Sequence, residues 1–213
     1  TRSTSSAASD VYKRQRVEHA KAANTLLCKN GTISADNTDG IGLVRDIVGN
    51  LEFPIADKSL LIVGSGGATR GVLLPILEER PKSIMVVNRT PEKAHRLIKT
   101  IEVEASKLAV DVASGGLFDL HDGEFDLVVN ATSSSLSNDL FPLSTNLLGS
   151  KTLAYDMMYG KNETSFMKWA QNSKAHKAVD GLGMLVEQAA ESFFLWCDKR
   201  PNTHAVMEIL RSG

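Results

Sequence analysis

The strongest indication of the fold is the stretch Ser59-Leu-Leu-Ile-Val-Gly64-Ser-Gly66-Gly67-Ala68-Thr69-Arg70. Its apolar run does not alternate with polar residues, which predicts a central parallel strand buried on both faces. The glycines that follow predict a tight turn into a helix beginning near Ala68. A strand, a glycine turn and a helix in this order are typical of a dinucleotide-binding site, where free helix N–H groups meet a pyrophosphate. The stretch departs from the G-x-G-x-x-G/A pattern because Thr69 occupies the third position.

The segment Asn88-Arg89-Thr90 follows the next predicted strand, residues 84–87, where such a fold meets the adenosine ribose. An acidic residue there accepts hydrogen bonds from the 2′-hydroxyl of NAD, whereas these residues offer donors and a positive charge. A guanidinium can form two hydrogen bonds with a phosphate, so Arg89 predicts a preference for NADP. The alternative is that Arg89 is a solvated loop residue and that Thr90 only caps the helix beginning at Pro91.

The remaining pattern alternates strands with helices, which predicts an α/β fold with a Rossmann-type doubly wound parallel sheet. Upstream, Lys29-Asn-Gly31 predicts a hairpin turn. Strands are predicted at 59–63, 84–87, 108–112, 125–129, 152–156 and 178–179. Helices are predicted at 41–51, 68–79, 91–101, 164–171, 183–199 and 203–210.

Composition narrows the class of partner. The formal net charge of −1 gives no broad basic field for nucleic acid or an anionic membrane. Cys28 and Cys197 are too few for a disulfide framework, which favours the reducing cytoplasm. The five histidines are scattered, so no metal site is expected. The apolar runs are too short to span a membrane, and the oligomeric state is left open, with a homodimer among the alternatives.

Several polar segments are ambiguous on residue chemistry alone. Asn37-Thr-Asp39-Gly40 suits a turn and a helix start, where Asp39 would act only as a cap. Asn130-Ala-Thr132 lies past the carboxyl end of a strand, where ligands of α/β proteins bind, or is a polar connecting loop. Gln188 lies in an apolar helix face, where a buried amide needs a hydrogen-bond partner.

In combination, these segments resemble the shikimate dehydrogenase family from about residue 15 to the C-terminus. No single motif is decisive, but seven in the same order and spacing are specific. The matching segments are Ala23-Asn-Thr-Leu26, Asn37-Thr-Asp-Gly40, Gly64-Ser-Gly-Gly-Ala68, Asn88-Arg-Thr90, Asn130-Ala-Thr132, Tyr155-Asp-Met-Met-Tyr159 and Asp180-Gly-Leu-Gly-Met-Leu-Val-Glu-Gln188.

The resemblance implies roles for individual residues. Asn24, Asp39 and Gln188 match positions that hydrogen-bond the substrate hydroxyls, and Tyr159 matches a further position of the substrate site. Asp39 also matches the aspartate of a catalytic Lys–Asp pair, which replaces capping as its main expected role. The positions that match the cofactor site are Gly64, Ser65, Gly66, Gly67, Ala68, Asn88, Arg89, Thr90, Pro91, Glu92, Lys93, Met157 and Gly181.

The implied activity is that of an NADP-dependent alcohol oxidoreductase. The family reversibly reduces 3-dehydroshikimate to shikimate with NADPH, a step in aromatic amino-acid biosynthesis. Two alternatives remain open at this point. One is a quinate/shikimate dehydrogenase that uses NAD or NADP, and the other is a non-catalytic nucleotide-binding remnant.

One departure from the family concerns the catalytic lysine. In the family, a substrate domain that precedes the Ala23-Asn24-Thr25 segment carries this lysine. Lys13 and Lys21 lie too close to Asn24 to match it, so we expect a truncated chain in which the lysine is absent. The expected divisions are a non-family tail at 1–14, a remnant of the N-terminal α/β substrate domain at 15–40, an NADP-binding Rossmann domain at 41–182, and C-terminal helices at 183–213 that pack back toward the substrate domain.

Overall fold

The structure, a computed structural model, describes residues 11–13, 15–120, 123–136 and 143–212. The strands are β1 (Val11–Lys13), β2 (Thr25–Lys29), β3 (Thr32–Asp36), β4 (Ser59–Val63), β5 (Ser83–Asn88), β6 (Asp111–Gly116), β7 (Phe125–Asn130), β8 (Leu148–Asp156) and β9 (Lys177–Val179). The helices are α1 (Gln15–Ala20), α2 (Asp39–Arg45), α3 (Gly67–Glu78), α4 (Pro91–Ile98), α5 (Glu102–Leu108), α6 (Ser165–Asn172), α7 (Leu182–Cys197) and α8 (Thr203–Ser212). A π-helical turn, Asp46–Asn50, continues α2, and 3₁₀ turns occupy Ser133–Leu136 and Thr145–Leu147.

The larger sheet is parallel throughout and has the strand order β6-β5-β4-β7-β8-β9. Counted within this sheet, the order is third, second, first, fourth, fifth, sixth, which is that of a doubly wound dinucleotide-binding fold. The predicted fold class is therefore confirmed. The direction of winding reverses between β4 and β7, and the crevice outside their carboxyl ends is the expected ligand site.

The central strand β4 is buried on both faces, as its apolar sequence predicts. Leu60 and Ile62 pack into a core formed with α2 and α3. Leu61 and Val63 face the opposite side, in a second core that includes residues of α6. Because successive side chains of a strand point to opposite faces, an unbroken apolar run places β4 between two helical layers.

The smaller sheet precedes the parallel sheet in the chain. Strands β2 and β3 form an antiparallel hairpin, and β1 pairs parallel with β3. Asn30 and Gly31 both have positive φ, of 52° and 76°, as a two-residue type I′ turn requires. The hairpin predicted from these residues is thus present. The indole Nε1 of Trp196 on α7 donates to the carbonyl of Leu26 at 2.9 Å, which attaches this sheet to α7.

Two predicted elements differ from the structure. The strand predicted at 108–112 is wrong at its start, because Leu108 ends α5 and β6 begins at Asp111. Ala109 ends the helix in the left-handed conformation, with φ of 55°, which the residue type does not signal. The helix predicted at 91–101 begins at Pro91 as expected but ends as α4 at Ile98, and α5 begins at Glu102. No helix in the described ranges has the length and apolar character needed to cross a membrane.

Candidate active site

Loops from three neighbouring strands meet at the carboxyl edge of the parallel sheet. Gly64 follows β4, and its N–H donates to the carbonyl of Val87 on β5 at 2.7 Å. The N–H of Ala131 donates to the carbonyl of Val63 at 2.9 Å, which places the loop after β7 beside the glycine turn. This is the crevice in which ligands of open α/β sheets bind.

The glycine turn depends on Gly64. Its φ of +106° is a backbone conformation that favours glycine, and a Cβ there would lie 2.7 Å from Cγ2 of Thr132. Thr69, the departure from the sequence pattern, is fully buried and donates its hydroxyl to the carbonyl of Gly64 at 2.8 Å. The threonine therefore closes the turn from the helix side.

The start of α3 is suited to binding an anion. The hydroxyl of Ser65 is buried and, among the described residues, has no hydrogen-bond partner. A Cβ at Gly66 or Gly67 would meet no atom within 4 Å, so the backbone here faces open space. No side chain caps α3, which leaves N–H groups of its first turn for a ligand. These residues fit the pyrophosphate of a dinucleotide.

The segment predicted to bind the adenosine ribose lies at the end of β5. The side-chain amide of Asn88 donates to the carbonyl of Thr90 at 3.0 Å and thereby shapes the turn. Arg89 and Thr90 are exposed, as are Glu92 and Lys93 in the first turn of α4. Thr90 holds the N-cap position before Pro91, but its side chain forms no capping hydrogen bond.

Three residues predicted to bind substrate meet in one hydrogen-bonded group. The side-chain amide of Asn24 donates to Oδ1 of Asp39 at 2.8 Å and to Oε1 of Gln188 at 3.2 Å. Asn24 precedes β2, Asp39 begins α2, and Gln188 lies on α7, so three separate elements converge. The hydrogen-bond partner that the amide of Gln188 required is therefore Asn24.

This group is also hydrogen-bonded to hydroxyl-bearing side chains that the sequence did not mark as candidate site residues. The backbone N–H of Thr38 donates to Oδ1 of Asn24 at 3.1 Å, and the Thr38 hydroxyl lies 3.2 Å from Oε1 of Gln188. Thr25 and Ser192, both buried, have their hydroxyl oxygens 2.7 Å apart. Ser192 follows Gln188 by one helical turn, which is the signal that could have identified it. We call Asn24, Thr25, Thr38, Asp39, Gln188 and Ser192 the polar cluster.

Close helix packing holds the polar cluster together. A Cβ at Gly42 of α2 would lie 2.7 Å from both the Cβ and the backbone nitrogen of Gln188 on α7. A Cβ at Gly71 of α3 would lie 3.5 Å from Oδ2 of Asp39 and 3.5 Å from Oδ1 of Asn37. The helix that begins at the glycine turn therefore contacts the carboxylate of Asp39 one turn further along.

A buried pair of side chains fixes the end of α2 against α7. The hydroxyl of Tyr155 on β8 donates to Oδ2 of Asp46 at 2.6 Å and accepts from the backbone N–H of Met184 at 3.2 Å. Burial raises the pKa of Asp46, against hydrogen bonds from Tyr155 and Asn50 that lower it, and the nearby charge of Glu187 raises it further. Burial, followed by the charge of Asp46, raises the pKa of Tyr155 well above its usual value.

The other predicted residues lie around this edge at different depths. Met157 is buried, and its carbonyl lies so close to Gly181 that a Cβ there could not be accommodated. Tyr159 is 49% exposed and lines a cavity of about 770 Å³ together with Asp180 and Arg211. The structure therefore does not join Tyr159 to the polar cluster.

The described residues provide no cationic partner for Asp39. Within 15–120, 123–136 and 143–212, no lysine or arginine nitrogen lies within 4.0 Å of its carboxylate. Lys21 instead lines a pocket beside Ser65, and the Lys13 side chain lies outside the described residues. The same part of the chain contains no group of three or more metal-binding side chains.

Comparison with known proteins gives matches along most of the chain. The family model described as Shikimate / quinate 5-dehydrogenase matches residues 44–138, and that described as Shikimate 5'-dehydrogenase C-terminal domain matches residues 181–211. The chain is 48% identical over 199 residues to "Shikimate dehydrogenase (NADP(+))" of Nitrosospira multiformis. That alignment covers 93% of this chain and 70% of the relative.

Two solved structures are similar to this one. An Ael1 enzyme from Pseudomonas putida shares 43% identity with a TM-score of 0.85, over 95% of this chain and 72% of that one. Shikimate 5-dehydrogenase from Thermus thermophilus, solved with NADP(H) and shikimate, shares 27% identity with a TM-score of 0.76, over 94% of this chain and 72% of that one. This chain therefore belongs to the shikimate dehydrogenase family.

Proposed function

We propose that this chain carries the cofactor site and part of the substrate site of an NADP-dependent shikimate dehydrogenase. The reaction is the reversible reduction of 3-dehydroshikimate to shikimate by NADPH, in aromatic amino-acid biosynthesis. The observation that supports it best is the position of Asp39. Its carboxylate bonds to Asn24 and lies against Gly71 of α3, the helix that begins at the glycine turn. The polar cluster, which can bind substrate hydroxyl groups, thus lies close to the glycine turn, which is suited to binding a dinucleotide.

The polar cluster suits a ring that bears several hydroxyl groups. Because Oε1 of Gln188 accepts from Asn24, its amide nitrogen is the part of the side chain that can donate to a substrate hydroxyl. The carboxylate of Asp39 can accept from a hydroxyl or hold a cationic partner. Held in this way by three elements, the cluster would orient the ring before reaction, which lowers the entropic cost of the reaction.

The cofactor site would be formed by the glycine turn, the Asn88–Lys93 segment and the Met157 and Gly181 positions. NADPH, when bound, supplies the hydride. Ser65 and the first turn of α3 would bind its pyrophosphate, and Arg89 with Thr90 and Lys93 would bind the 2′-phosphate. Met157 and Gly181 would lie beside the nicotinamide ring, since the close contact at Gly181 leaves no room for a larger side chain.

Proton transfer to the alcohol oxygen needs a positioned acid or base, which contributes typically ~10²–10⁴-fold. In the family, a lysine paired with the aspartate at the Asp39 position does this. We assign that lysine to no residue of this sequence, so Asp39 would orient rather than exchange the proton. We propose the same divisions as before: a tail at 1–14, a substrate-domain remnant at 15–40, a cofactor domain at 41–182 and covering helices at 183–213.

The cellular setting is part of the proposal. Two exposed free cysteines, Cys28 and Cys197, suit a reducing cytoplasm. A homodimer is the assembly we propose to test, by sedimentation of the purified chain over a range of concentrations. A single species with the mass of the monomer at every concentration would contradict it.

The first experiment measures NADPH binding and shikimate-dependent reduction of NADP⁺ by this 213-residue chain, after circular dichroism shows that it is folded. We expect NADPH to bind and turnover to be slow or absent, since no described cationic side chain pairs with Asp39. Failure to bind NADPH would contradict the proposal. Fast turnover would show that another group transfers the proton. Quinate oxidised as well as shikimate would favour the quinate/shikimate alternative.

Binding without turnover would leave one competing function. A non-catalytic nucleotide-binding module would also bind NADPH and lack activity. The two are separated by supplying, as a second polypeptide, the portion of the Nitrosospira multiformis relative that this chain does not match. Recovered activity that depends on Asp39 supports the dehydrogenase, whereas none in a complex shown to form supports the module.

A further inference from the structure

A pocket of about 370 Å³ lies beside the glycine turn at the carboxyl edge of the parallel sheet. Its wall includes the buried hydroxyl of Ser65 and four cationic side chains, Lys21, Arg70, Lys93 and Arg96. These come from three parts of the fold: Lys21 follows α1, Arg70 lies on the first turns of α3, and the other two lie on α4. Apart from Ser65 and Lys93, none of these residues belongs to the segments that resemble cofactor-binding motifs.

The four cations are not neutralised by the residues that the structure describes. Within the part of the chain that the structure describes, no carboxylate oxygen lies within 4.0 Å of any of the four charged groups. The N-terminus of the 12-residue helix α3 adds its partial positive charge at the same pocket. Like charges gathered around one concave site repel each other and attract an anion.

The hydroxyl of Ser65 gives a separate indication that a ligand binds here. Ser65 is 8% exposed, and its Oγ has no hydrogen-bond partner among the described residues. Buried hydroxyl groups in folded proteins are normally paired, so one that lines a cationic pocket and lacks a partner marks the place of a ligand oxygen. Arg70 and Arg96 can each form two parallel hydrogen bonds with a phosphate.

We propose that Lys21, Arg70 and Arg96 join Lys93 in a subsite, beside Ser65, for a phosphate monoester dianion, the 2′-phosphate of the dinucleotide. This inference rests on the proposed function for the identity of the dinucleotide. Specificity for NADP over NAD then depends on Arg70 and Arg96 as well as on Arg89. Lys21 lies three residues before Asn24, so the same phosphate would also contact the segment that leads into the polar cluster.

The experiment compares two nucleotides that differ only in this phosphate. Calorimetric titration with 2′,5′-ADP and with 5′-AMP gives an affinity ratio for the wild type, for the double variant R70A/R96A and for Lys21→Ala. The matched control is Lys99→Ala, an exposed cation at the end of α4 that does not line the pocket. Arg96→Lys tests for partial rescue by a single point charge.

For the double variant we expect the affinity for 2′,5′-ADP to fall by about tenfold or more, and that for 5′-AMP by less than about twofold. Lys21→Ala should lower the ratio by a smaller factor, and Lys99→Ala should leave it unchanged. A ratio in R70A/R96A within about twofold of wild type, with circular dichroism unchanged, would overturn the inference.

Two further outcomes separate this inference from its neighbours. If the wild type binds neither nucleotide, the proposed function fails and the inference fails with it. If the ratio stays constant while inorganic phosphate binds the wild type and not R70A/R96A, the pocket takes a free phosphate rather than the cofactor, which also overturns the inference. Loss of discrimination in Arg89→Ala, with none in R70A/R96A, would support the proposed function and overturn the assignment of this pocket.

Discussion

The glycine turn and the polar cluster lie at the same edge of the sheet but are built differently. The turn comes from one continuous stretch, and the buried hydroxyl of Ser65 within it lacks a hydrogen-bond partner among the described residues. The cluster joins residues as far apart as Asn24 and Gln188, 164 positions, and its side chains already bond to one another. One site is thus held by local backbone geometry, and the other by the packing of α2 against α7.

The largest effect should come from separating those two helices. Gly42→Ala places a methyl group 2.7 Å from the Cβ and backbone nitrogen of Gln188, so α2 or α7 must move. We expect a loss of about 3 kcal/mol in the free energy of unfolding, at the upper end for overpacking. Urea denaturation followed by circular dichroism measures it.

Gly49→Ala is the matched control for that substitution, because a Cβ at Gly49 meets no atom within 4 Å. We expect it to be neutral or to stabilise by up to about 1 kcal/mol. If Gly42→Ala unfolds at the same urea concentration as this control, the cluster does not depend on close helix packing.

The next largest effect should be on discrimination between NADPH and NADH. It tests the proposed cofactor site rather than the polar cluster. Arg89→Ala removes the proposed charge-assisted interaction with the 2′-phosphate, worth roughly 1.5–3 kcal/mol, and should weaken NADPH binding much more than NADH binding. Fluorescence titration with each cofactor measures the ratio, with Lys99→Ala as the control. Equal losses for both cofactors would remove the phosphate role of Arg89 and leave the N-cap interpretation of Thr90.

Shikimate binding should depend on neutral hydrogen bonds from the polar cluster. We therefore expect a smaller loss of affinity than for NADPH in Arg89→Ala. Gln188→Ala removes the amide nitrogen proposed to donate to a ring hydroxyl, and we expect a loss of roughly 0.5–1.5 kcal/mol in shikimate affinity at saturating NADP⁺. The control is Gln171→Ala. Gln171 is an exposed glutamine on α6, and its side-chain amide donates to the carboxylate of Glu163. Titration by saturation-transfer NMR gives both affinities. An unchanged affinity in Gln188→Ala would exclude this residue from the substrate site.

The smallest effect concerns the pH dependence of the helix contact. Burial opposes ionisation of Glu191 on α7, but hydrogen bonds from Arg200 and Arg45 lower its pKa. A lowered folded-state pKa stabilises the fold above the unfolded value near 4.5, and this contribution disappears as the pH falls through the folded-state pKa. Glu191→Gln should cost about 1 kcal/mol at neutral pH, since solvent screens the half-exposed arginines, and little at low pH.

The contribution of Asp46 to stability should change with pH in the opposite direction to that of Glu191, so the two variants can be compared directly. Its pKa is raised by burial, so its contribution to stability declines as the pH rises from the unfolded value of 3.8 through the folded-state pKa. In Asp46→Asn, the free energy of unfolding should therefore no longer decline as the pH rises through this range. Thermal unfolding at a series of pH values from acidic to neutral measures both variants, and parallel curves for the two would contradict the assigned signs.

The parallel fold and the location of the glycine turn could be predicted from the amino-acid sequence. An unbroken apolar strand followed by glycines is a local signal, because backbone conformation and burial on both faces depend on neighbouring residues. The hairpin at Asn30 and Gly31 was predictable for the same reason. The start of β6 was not, because Ala109 ends α5 in a left-handed conformation that an alanine does not signal.

Which polar side chains bond to one another depends on tertiary packing and could not be predicted from local sequence. The sequence suggested that the amide of Gln188 needs a partner, but only the folded chain brings Asn24, from the segment before β2, within 3.2 Å of it. The Ser192 contacts and the Asp46–Tyr155 pair were missed because their partners are more than 100 positions away. Local pattern specifies an element and its buried face, whereas the hydrogen bonds between distant side chains depend on how those faces pack.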